Sequence, residues 1–389
     1  MKSFDLVIIG CGPNGIKAAI EFNKTFPHWN TLLLDKGYGL SNLEKYPNVR
    51  WHSEMESIFL DSNLNSSIPS NLIPTSNEVK HYFEYVIKEK ELNIQNNSDV
   101  FLIKKLNELI QISYKQNDLE KIVTTKYAIL ATGIYENKKI PKFYKSQKNC
   151  FFSYELEIEN KNIVLVGGGN SAHDVLINLL PKNKINWIIR SSKYKKVHEI
   201  LNEKFTKTIK AYSSNLKIYF NTEITNINEE LNLISLSNDK VINNFDKCLI
   251  MTGFKSVSNL VKESNIKTKG TCIDFSENYE SSINNLYIFG SAMSKWNDNL
   301  SKAEDTFILN GNPKKLKVII DSIKSKEAKY LFDFNYKKNF IKKRNTFNIN
   351  NFFQNKFLYF LSLLIPEIIK LPIRKLRNRK NRLFRTHKK

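Results

Sequence analysis

FDLVIIGCGPNG, the sequence from Phe4 to Gly15, joins a mainly apolar run to a turn that holds three glycines. The run has the composition of a buried strand, and the residues from Ile16 to Phe22 that follow it have the pattern of a helix. In a strand–turn–helix unit with the spacing G-x-G-x-x-G, one glycine makes the tight turn, one lets the backbone approach a pyrophosphate and one packs helix against strand. The stretch therefore predicts a dinucleotide-binding unit whose helix N-terminus faces phosphates.

The same pattern occurs again at NIVLVGGGNSA, from Asn162 to Ala172, and a helical segment from His173 follows it. Alanine takes the third small position of this second loop, as G-x-G-x-x-A allows. A glycine-rich turn alone is weak evidence, but each of these two turns lies between an apolar strand and an amphipathic helix. The repeat predicts two Rossmann-like nucleotide-binding units in one chain.

The residue that ends the second strand of each unit distinguishes the two nucleotides. TLLLD, residues 31–35, ends on the carboxylate of Asp35, which would accept hydrogen bonds from the ribose hydroxyls of adenosine. INWIIRS, residues 185–191, ends on Arg190 and Ser191, and a guanidinium can clamp a 2′-phosphate that a carboxylate would repel. This difference predicts NADPH rather than NADH in the second unit. The alternative is that Arg190 is an ordinary solvated residue at a strand end.

Each unit also ends in a buried strand that runs into a Thr-Gly pair. YAILATG spans Tyr127 to Gly133, and CLIMTGF spans Cys248 to Phe254. Small residues at such a strand end let the backbone run close to a nucleotide. A Thr-Gly pair alone means little, but its recurrence after both glycine loops supports two complete units.

Together these motifs resemble the two-dinucleotide-binding-domain flavoproteins, the superfamily of thioredoxin and glutathione reductases and of flavin-containing monooxygenases. The resemblance covers about residues 4–325 and implies that FAD binds the first unit and NADPH the second, with hydride passing from nicotinamide to flavin. It implies an α/β fold of two Rossmann-like, three-layer ββα domains, the second inserted in the first, followed by a basic helical C-terminal tail. The implied bounds are 1–153 and 247–325 for the FAD domain, 154–246 for the NADPH domain and 326–389 for a basic amphipathic extension.

The resemblance also assigns the binding residues. Those implied for FAD are Gly10, Gly12, Pro13, Asn14, Gly15, Asp35, Lys36, Trp51, Val100, Ala131, Thr132, Gly133, Gly290 and Ser291. Those implied for NADPH are Gly167, Gly169, Asn170, Ser171, Ala172, Arg190, Ser191, Thr252 and Gly253. Family members usually carry Gly-Asp where this chain has Gly290 and Ser291, and the serine hydroxyl can still hydrogen-bond the ribityl chain.

The four cysteines, Cys11, Cys150, Cys248 and Cys272, are widely spaced and form no CxxC motif. A thioredoxin-reductase mechanism needs two neighbouring cysteines to carry electrons from flavin to a disulfide, and the sequence predicts no such pair. This cysteine usage suits a reducing cytosol, and neither the cysteines nor the histidines have the spacing of a metal site.

Two chemistries remain within the superfamily. The second glycine loop resembles that of the flavin-containing monooxygenases, which implies oxygen transfer to a small nitrogen- or sulfur-containing substrate, although their Gly and His fingerprint before that loop is absent. The alternative is a reductase without CxxC, similar to the bacillithiol disulfide reductases. That group carries a cysteine where this chain has Asn14, while Cys11 could be a perturbed thiolate or simply a small residue. His52, beside Trp51, is the candidate proton carrier or hydrogen-bond donor at the flavin, with a packing role as the alternative.

The net charge of +22 is concentrated near the C-terminus, where sixteen lysines and arginines follow Tyr330 against two acids. FLYFLSLLI, residues 357–365, precedes a basic run that ends at Arg382. An apolar segment beside a polybasic run predicts peripheral contact of residues 357–389 with an anionic membrane. A helix packed on the body or on a second subunit, and a disordered or nucleic-acid-binding tail, are the alternatives.

The N-terminus predicts no secretory signal, and no apolar run reaches the roughly 20 residues of a membrane-spanning helix. We therefore expect a cytoplasmic enzyme, with peripheral association at the inner face of the membrane as the hypothesis for the tail and a homodimer left open. The rival from another class is a degenerate flavoprotein that serves as a membrane-associated binding protein.

Overall fold

The computed structural model describes residues 2–45, 51, 54–60, 69–134, 136–194, 199–297, 302–304 and 313–341. The chain divides into two compact units, Met1–Asn312 and Pro313–Lys389. Both predicted nucleotide-binding units fall in the first of these.

In the first part of the chain, the described residues form six strands and three α-helices. The strands are β1 (Lys2–Ile9), β2 (Thr31–Leu34), β3 (Ile94–Gln95), β4 (Ser98–Leu106), β5 (Leu109–Gln116) and β6 (Leu119–Leu130). The helices are α1 (Pro13–Thr25), α2 (Ser41–Glu44) and α3 (Ser76–Glu89). A capping box begins α3, because the Glu78 N–H donates to Thr75 Oγ1 and the Thr75 N–H donates to Glu78 Oε2.

The middle of the chain forms a second set of elements. Its strands are β7 (Cys150–Phe151), β8 (Asn162–Val166), β9 (Lys184–Ile188), β10 (Leu216–Tyr219), β11 (Ile224–Asn228), β12 (Leu233–Leu236), β13 (Val241–Asn243) and β14 (Lys247–Ile250). Its helices are α4 (Asn170–Leu179) and α5 (Glu199–Ala211). The last part holds α6 (Asn259–Glu263), β15 (Thr268–Lys269), β16 (Cys272–Ile273), β17 (Leu286–Ile288), β18 (Lys295–Asn297), β19 (Lys302–Glu304) and α7 (Pro313–Ile341).

Two parallel sheets with the same plan organise the first unit. One has the order β3-β2-β1-β6-β17, and the other has the order β10-β9-β8-β14-β7. Each is accompanied by a three-stranded antiparallel meander, which is β4-β5-β6 in the first case and β11-β12-β13 in the second. In the first sheet β6 serves both layers, since residues 119–125 pair with β5 and residues 128–130 pair with β17. The predicted α/β fold with two Rossmann-like units is confirmed.

The fifth strand of each sheet shows how one unit is inserted in the other. In the second sheet this strand is β7, which comes before the glycine loop, whereas in the first sheet it is β17, which comes after the whole second sheet. The second sheet therefore runs from Cys150 to Ile250, beyond the predicted bounds of 154 and 246 on both sides. Both β7 and β14 join this sheet by parallel pairing, which a two-residue strand such as β7 does not reveal in sequence. The bounds of the NADPH domain stay a prediction.

Burial explains why these segments form parallel strands. All four residues from Leu6 to Ile9 are buried, as are all of β2, because helices cover one face of such a sheet and a second layer covers the other. In β8 the side chains of Ile163 and Leu165 pack with α4 and α5, while Val164 and Val166 pack with the meander β11–β13. The core of the second domain thus lies on both faces of its sheet.

The helix α7 runs without a break across the predicted boundary between residues 325 and 326, and the start of the C-terminal extension stays a prediction. Among the described residues, no helix has the length and apolarity needed to cross a membrane. The apolar segment and the polybasic run of residues 357–389 lie outside the described residues, and the prediction of membrane contact there stays a prediction.

Candidate functional site

The first glycine loop connects β1 to α1, and its three glycines meet different surroundings. Gly10 has a φ of +103°, and a Cβ added to it would lie 2.7 Å from the carbonyl oxygen of Ala131. A Cβ on Gly15 would overlap the carbonyl oxygen of Gly10. At Gly12, by contrast, a Cβ would meet no atom within 4 Å. Two glycines are therefore needed for packing, and the third leaves the backbone open where a pyrophosphate would lie.

The second loop, between β8 and α4, repeats this arrangement. Gly167 has a φ of +118°, and a Cβ there would overlap the carbonyl oxygen of Met251. Gly169 is open in the same way as Gly12 and is the N-cap of α4, whose first turn contains Asn170 and Ser171. In both units the first glycine thus lies against the strand end that precedes the Thr-Gly pair. Ala172 is fully buried at the position equivalent to Gly15.

Asp35 lies against the first glycine loop. Its Oδ2 accepts a hydrogen bond from the Cys11 N–H at 2.7 Å, and its Oδ1 accepts from Gly37 at 2.9 Å and Gly39 at 3.3 Å. A carboxylate has about four acceptor sites, so these contacts leave capacity for ribose hydroxyls. The carboxylate is oriented by the backbone before any nucleotide arrives.

The segment after β17 reaches the same place from the other end of the chain. Gly290 has a φ of +77°, and a Cβ there would lie 2.7 Å from Nδ2 of Asn14. A Cβ on Gly133 would lie 3.5 Å from Oγ of the buried Ser291. The fold therefore brings Gly290 to the first glycine loop and Ser291 to the turn at Gly133.

Three further residues predicted for FAD have different surroundings. Lys36 makes an ion pair with Glu136, with Nζ 2.5 Å from Oε2. Trp51 is buried, and its indole N–H donates to the hydroxyl of Ser76 at 3.3 Å. Val100 is buried in β4, a strand whose first residue donates its N–H to the carbonyl oxygen of Asp35. The assignment of these three residues to FAD stays a prediction, and His52 lies outside the described residues.

Arg190 follows β9 and projects into solvent. Its side chain is 86% exposed, and Nε lies 3.7 Å from Oε1 of Glu223. Gly167 donates its N–H to the carbonyl oxygen of Ile188, so the strand that leads to Arg190 is held beside the second loop. The neighbouring Ser191 donates its hydroxyl to the Lys193 carbonyl at 2.7 Å. The guanidinium has room to meet a 2′-phosphate at the edge of the second site.

Two ring nitrogens contact carbonyls of the second glycine loop, and neither contact was predicted from the sequence. Trp187 Nε1 donates to the Gly167 carbonyl at 2.6 Å, and His173 Nδ1 lies 2.8 Å from the Gly169 carbonyl oxygen. Because a carbonyl only accepts, His173 carries its proton on Nδ1. The imidazole is fully buried among the rings of Trp187, Tyr194 and Phe205, and burial lowers its pKa. The spacing of four residues from Gly169 to His173 was the available signal.

Cys11 lies in the first glycine loop but has the character of a packing residue. Its side chain is fully buried, and burial together with the charge of Asp35 raises the pKa of the thiol to about 12. The thiol is therefore protonated at neutral pH. The idea that Cys11 is a perturbed, reactive thiolate is wrong, because desolvation and the neighbouring carboxylate outweigh the helix N-terminus.

The structure corrects the prediction that no two cysteines lie together. Cys150 of β7 and Cys248 of β14 are direct neighbours in register, and their thiols are hydrogen-bonded. Both belong to the hydrophobic cluster between the second sheet and its meander. The hydrogen bond to Cys150 and burial raise the pKa of Cys248. The pair was missed because parallel pairing joins residues that are far apart in sequence.

A pocket opens at the carboxyl ends of the strands in the second sheet. It is lined by Lys138, Phe152, Ser171, Ile250, Met251, Gly253 and Phe254. Thr252 donates its hydroxyl to the carbonyl of Lys139 at 2.7 Å, which ties the end of β14 to the linker from the first domain. Ligands of open parallel sheets bind at this edge, so the pocket lies where a nucleotide on the second loop would extend.

A family model described as pyridine nucleotide-disulphide oxidoreductase matches residues 7–290 of this chain. Among curated relatives, a thiol-specific monooxygenase of Saccharomyces cerevisiae is 25% identical over 284 residues, which cover 64% of this chain and 60% of the relative. A ferredoxin–NADP reductase of Lactobacillus gasseri is 23% identical over 75% of this chain and 87% of its own length. The chain thus spans three-fifths of the monooxygenase and most of the reductase.

Solved structures agree with the fold. A bacillithiol disulfide reductase from Bacillus cereus has a TM-score of 0.73 and 20% identity, and the match covers 84% of this chain and 100% of that one. A flavin-containing monooxygenase from Stenotrophomonas maltophilia has a TM-score of 0.63 and 13% identity over 82% of this chain and 98% of that one. At these identities the likeness establishes the shared two-domain architecture.

Proposed function

Because the chain belongs to the pyridine nucleotide-disulphide oxidoreductase family, we propose that it binds FAD in its first domain and takes hydride from NADPH held in its second. The observation that carries this proposal is the pair of glycine loops with unequal strand ends. One loop is followed by Asp35, whose carboxylate lies on the loop backbone, and the other by the exposed Arg190. A carboxylate suits free ribose hydroxyls, and a guanidinium suits a 2′-phosphate.

The residues of the first domain fit a flavin dinucleotide. Gly12 leaves the backbone open for the pyrophosphate, Asp35 accepts ribose hydroxyls, and Ser291 offers a hydroxyl to the ribityl region. When bound, FAD supplies a ring that accepts hydride and passes electrons on. The chain contributes the binding groups and their orientation.

The electrons leave the flavin without a protein thiol relay in this proposal. Cys11 is a buried thiol with a pKa of about 12, and Cys150 and Cys248 lie in the core of the second domain. The fourth cysteine, Cys272, is buried as well. An acceptor must therefore meet the flavin directly. Of the acceptors considered, we favour oxygen, with one atom passing to a small nitrogen or sulfur nucleophile and the other leaving as water while NADPH is oxidised to NADP⁺.

A second candidate is the reduction of a small-molecule disulfide or another acceptor. The match in length supports it, since the chain spans 87% of the ferredoxin–NADP reductase but only 60% of the thiol-specific monooxygenase. In this case the reduced protein gives its electrons to the acceptor in the absence of oxygen.

The experiment that tests the proposal begins with the colour of the purified protein and the rate of its reduction by NADPH without oxygen. Oxygen is then admitted with and without a small thiol or amine. One substrate oxygenated per NADPH, with little peroxide, supports the monooxygenase. Peroxide in equal amount to NADPH, or anaerobic reduction of a disulfide, supports the reductase. A colourless protein that FAD cannot reconstitute would contradict both and favour a degenerate binding protein.

A further inference from the structure

We infer that Lys138 binds the pyrophosphate of the nicotinamide dinucleotide, an inference that rests on the proposed second nucleotide site. Lys138 lies outside the second glycine loop in sequence, in the linker that leads from the first domain to β7. Nothing in its local sequence marks it as a phosphate ligand. Its position in the fold carries the inference.

The backbone holds Lys138 at the second site although it lies in a loop. Lys138 forms an antiparallel bridge with Phe254. The next residue, Lys139, donates its N–H to the Gly253 carbonyl at 2.9 Å and accepts the hydroxyl of Thr252 at 2.7 Å. The linker is thus clamped to the residues that follow β14, and these residues lie against the first glycine of the loop.

The pocket places Lys138 and the start of α4 around one space. Ser171, in the first turn of α4, and Gly253, after β14, both line the pocket together with Lys138. Gly253 has a φ of +88°, and a Cβ there would meet no atom within 4 Å. The first turn of α4 offers N–H groups to an anion, and a lysine across the same space adds a full positive charge.

The ammonium of Lys138 makes no ion pair with the part of the chain that the structure describes. Its ammonium lies 5.3 Å from the centroid of the Phe152 ring, a cation–π contact with another wall of the pocket. Among the residues that the structure describes, no carboxylate lies within 4.0 Å of this ammonium, whereas Arg190 already has Glu223 beside it. A pyrophosphate at the second loop is the anion that this arrangement fits.

Lys138 and Arg190 lie at different places in the second site and therefore contact different parts of the nucleotide. Arg190 stands at the strand end where the adenosine 2′-substituent lies, so it affects NADPH and not NADH. Lys138 lies in the pocket of Ser171 and Gly253, so it affects any ligand that carries the pyrophosphate. ADP-ribose has the pyrophosphate but lacks both the 2′-phosphate and the nicotinamide, and it is therefore the probe of choice.

The test compares Lys138→Met with Lys138→Arg and with Lys148→Met in the full-length holoenzyme. Lys148 is an exposed lysine of the same linker that does not line the pocket, which makes it a matched control. Loss of a hydrogen bond to a charged group weakens binding by about tenfold. We expect Lys138→Met to raise the dissociation constants of ADP-ribose, NADH and NADPH by that same factor, while Lys138→Arg and Lys148→Met stay close to wild type.

Two results would overturn the inference. One is an unchanged dissociation constant for ADP-ribose in Lys138→Met, and the other is a change confined to NADPH, which would place Lys138 at the 2′-phosphate. Failure of the wild-type protein to bind NADPH, NADH or ADP-ribose would instead contradict the proposed function. Thermal unfolding of each variant shows that a change in affinity does not come from a damaged fold.

Discussion

Arg190 gives the nucleotide preference of the second site a direct test. Replacing it with Met should raise the KM for NADPH by about tenfold and leave the KM for NADH unchanged, because only the 2′-phosphate loses a charge-assisted contact. Lys at this position should restore part of the affinity, since an ammonium keeps the charge but not the bidentate geometry. Steady-state flavin reduction with both nucleotides measures this. A Glu223→Gln variant is the control, as it removes the acid beside Arg190 and leaves the guanidinium in place.

His173 ties the stability of the second domain to pH. Burial lowers its pKa below the usual value of about 6.5, so the unfolded chain binds a proton there more readily than the folded chain. Its contribution to stability is complete above about pH 6.5 and is lost as pH falls from there towards the folded pKa. His173→Gln should therefore lose less stability than wild type between pH 7.5 and pH 5.5.

Urea unfolding at the two pH values measures this difference. His28→Gln is the matched control, because His28 is an exposed histidine outside the second domain. An equal loss of stability on acidification in wild type and His173→Gln would contradict the role given to the buried imidazole.

Single residues could be predicted from the sequence where the backbone conformation allows only one residue type. Gly10 and Gly15 lie where the G-x-G-x-x-G spacing requires glycine, since a Cβ at either position would meet a backbone carbonyl. Sequence reasoning did not identify His173, whose imidazole lies among rings from later in the chain, or the position of Lys138 beside the second loop. No local pattern shows that the Lys138 linker is clamped to the residues after β14.

In the first glycine loop, one glycine is needed for packing and another for nucleotide binding. Gly15→Ala should lower the unfolding free energy of the apoprotein by about 1–3 kcal/mol, because the added methyl overlaps the Gly10 carbonyl. Gly12→Ala should change it by about 1 kcal/mol or less, since the methyl enters open space, yet the same methyl should obstruct the pyrophosphate.

The measurements are thermal unfolding of the apoprotein and titration with FAD. We expect Gly12→Ala to bind FAD at least tenfold more weakly while its melting temperature stays near that of wild type. Normal FAD affinity in Gly12→Ala would show that the nucleotide does not approach the loop at this glycine.

Strand pairing determines which fragment of the chain can fold on its own. Residues 148–254 contain every strand of the second sheet, whereas residues 154–246 lack β7 and the interior strand β14. The longer fragment should unfold cooperatively in urea and the shorter one should not. Trp187, fully buried in the native domain, is the only tryptophan in either fragment, and its fluorescence reports the transition. Cooperative unfolding of the shorter fragment would contradict the structural role of β14.

The elements themselves were largely predictable, and their bounds were not. The strands β1, β2, β8 and β9 are apolar runs that a parallel sheet buries on both faces, so their pattern is strong. The two-residue strand β7 has no such pattern and joins the sheet only because β14 is beside it. For the same reason, the proximity of the Cys150 and Cys248 thiols was not predicted from the sequence.

The basic C-terminal segment sets a property of the molecule as a whole, which is where it resides. We propose that residues 357–389 contact anionic membranes, on the composition of their apolar and polybasic runs. The full chain should sediment with vesicles that contain anionic lipid, and a chain truncated before Asn355 should remain in solution. Equal sedimentation of the full and truncated chains would contradict the proposal. Neutral vesicles provide the control for charge.

The position of β17 has a consequence for how the protein is made on the ribosome. The strand β6 emerges with residues 128–130 lacking the neighbour that completes their side of the sheet, and that neighbour is synthesised about 150 residues later. At 5–20 residues per second the delay lasts roughly 10–30 seconds. The inserted domain, whose strands are continuous in sequence, can close during this time, while the open edge of the first sheet is exposed to wrong pairing. Translation speed and chaperone supply should therefore affect the fraction of chains with a correctly folded first domain more than the fraction with a correctly folded second domain.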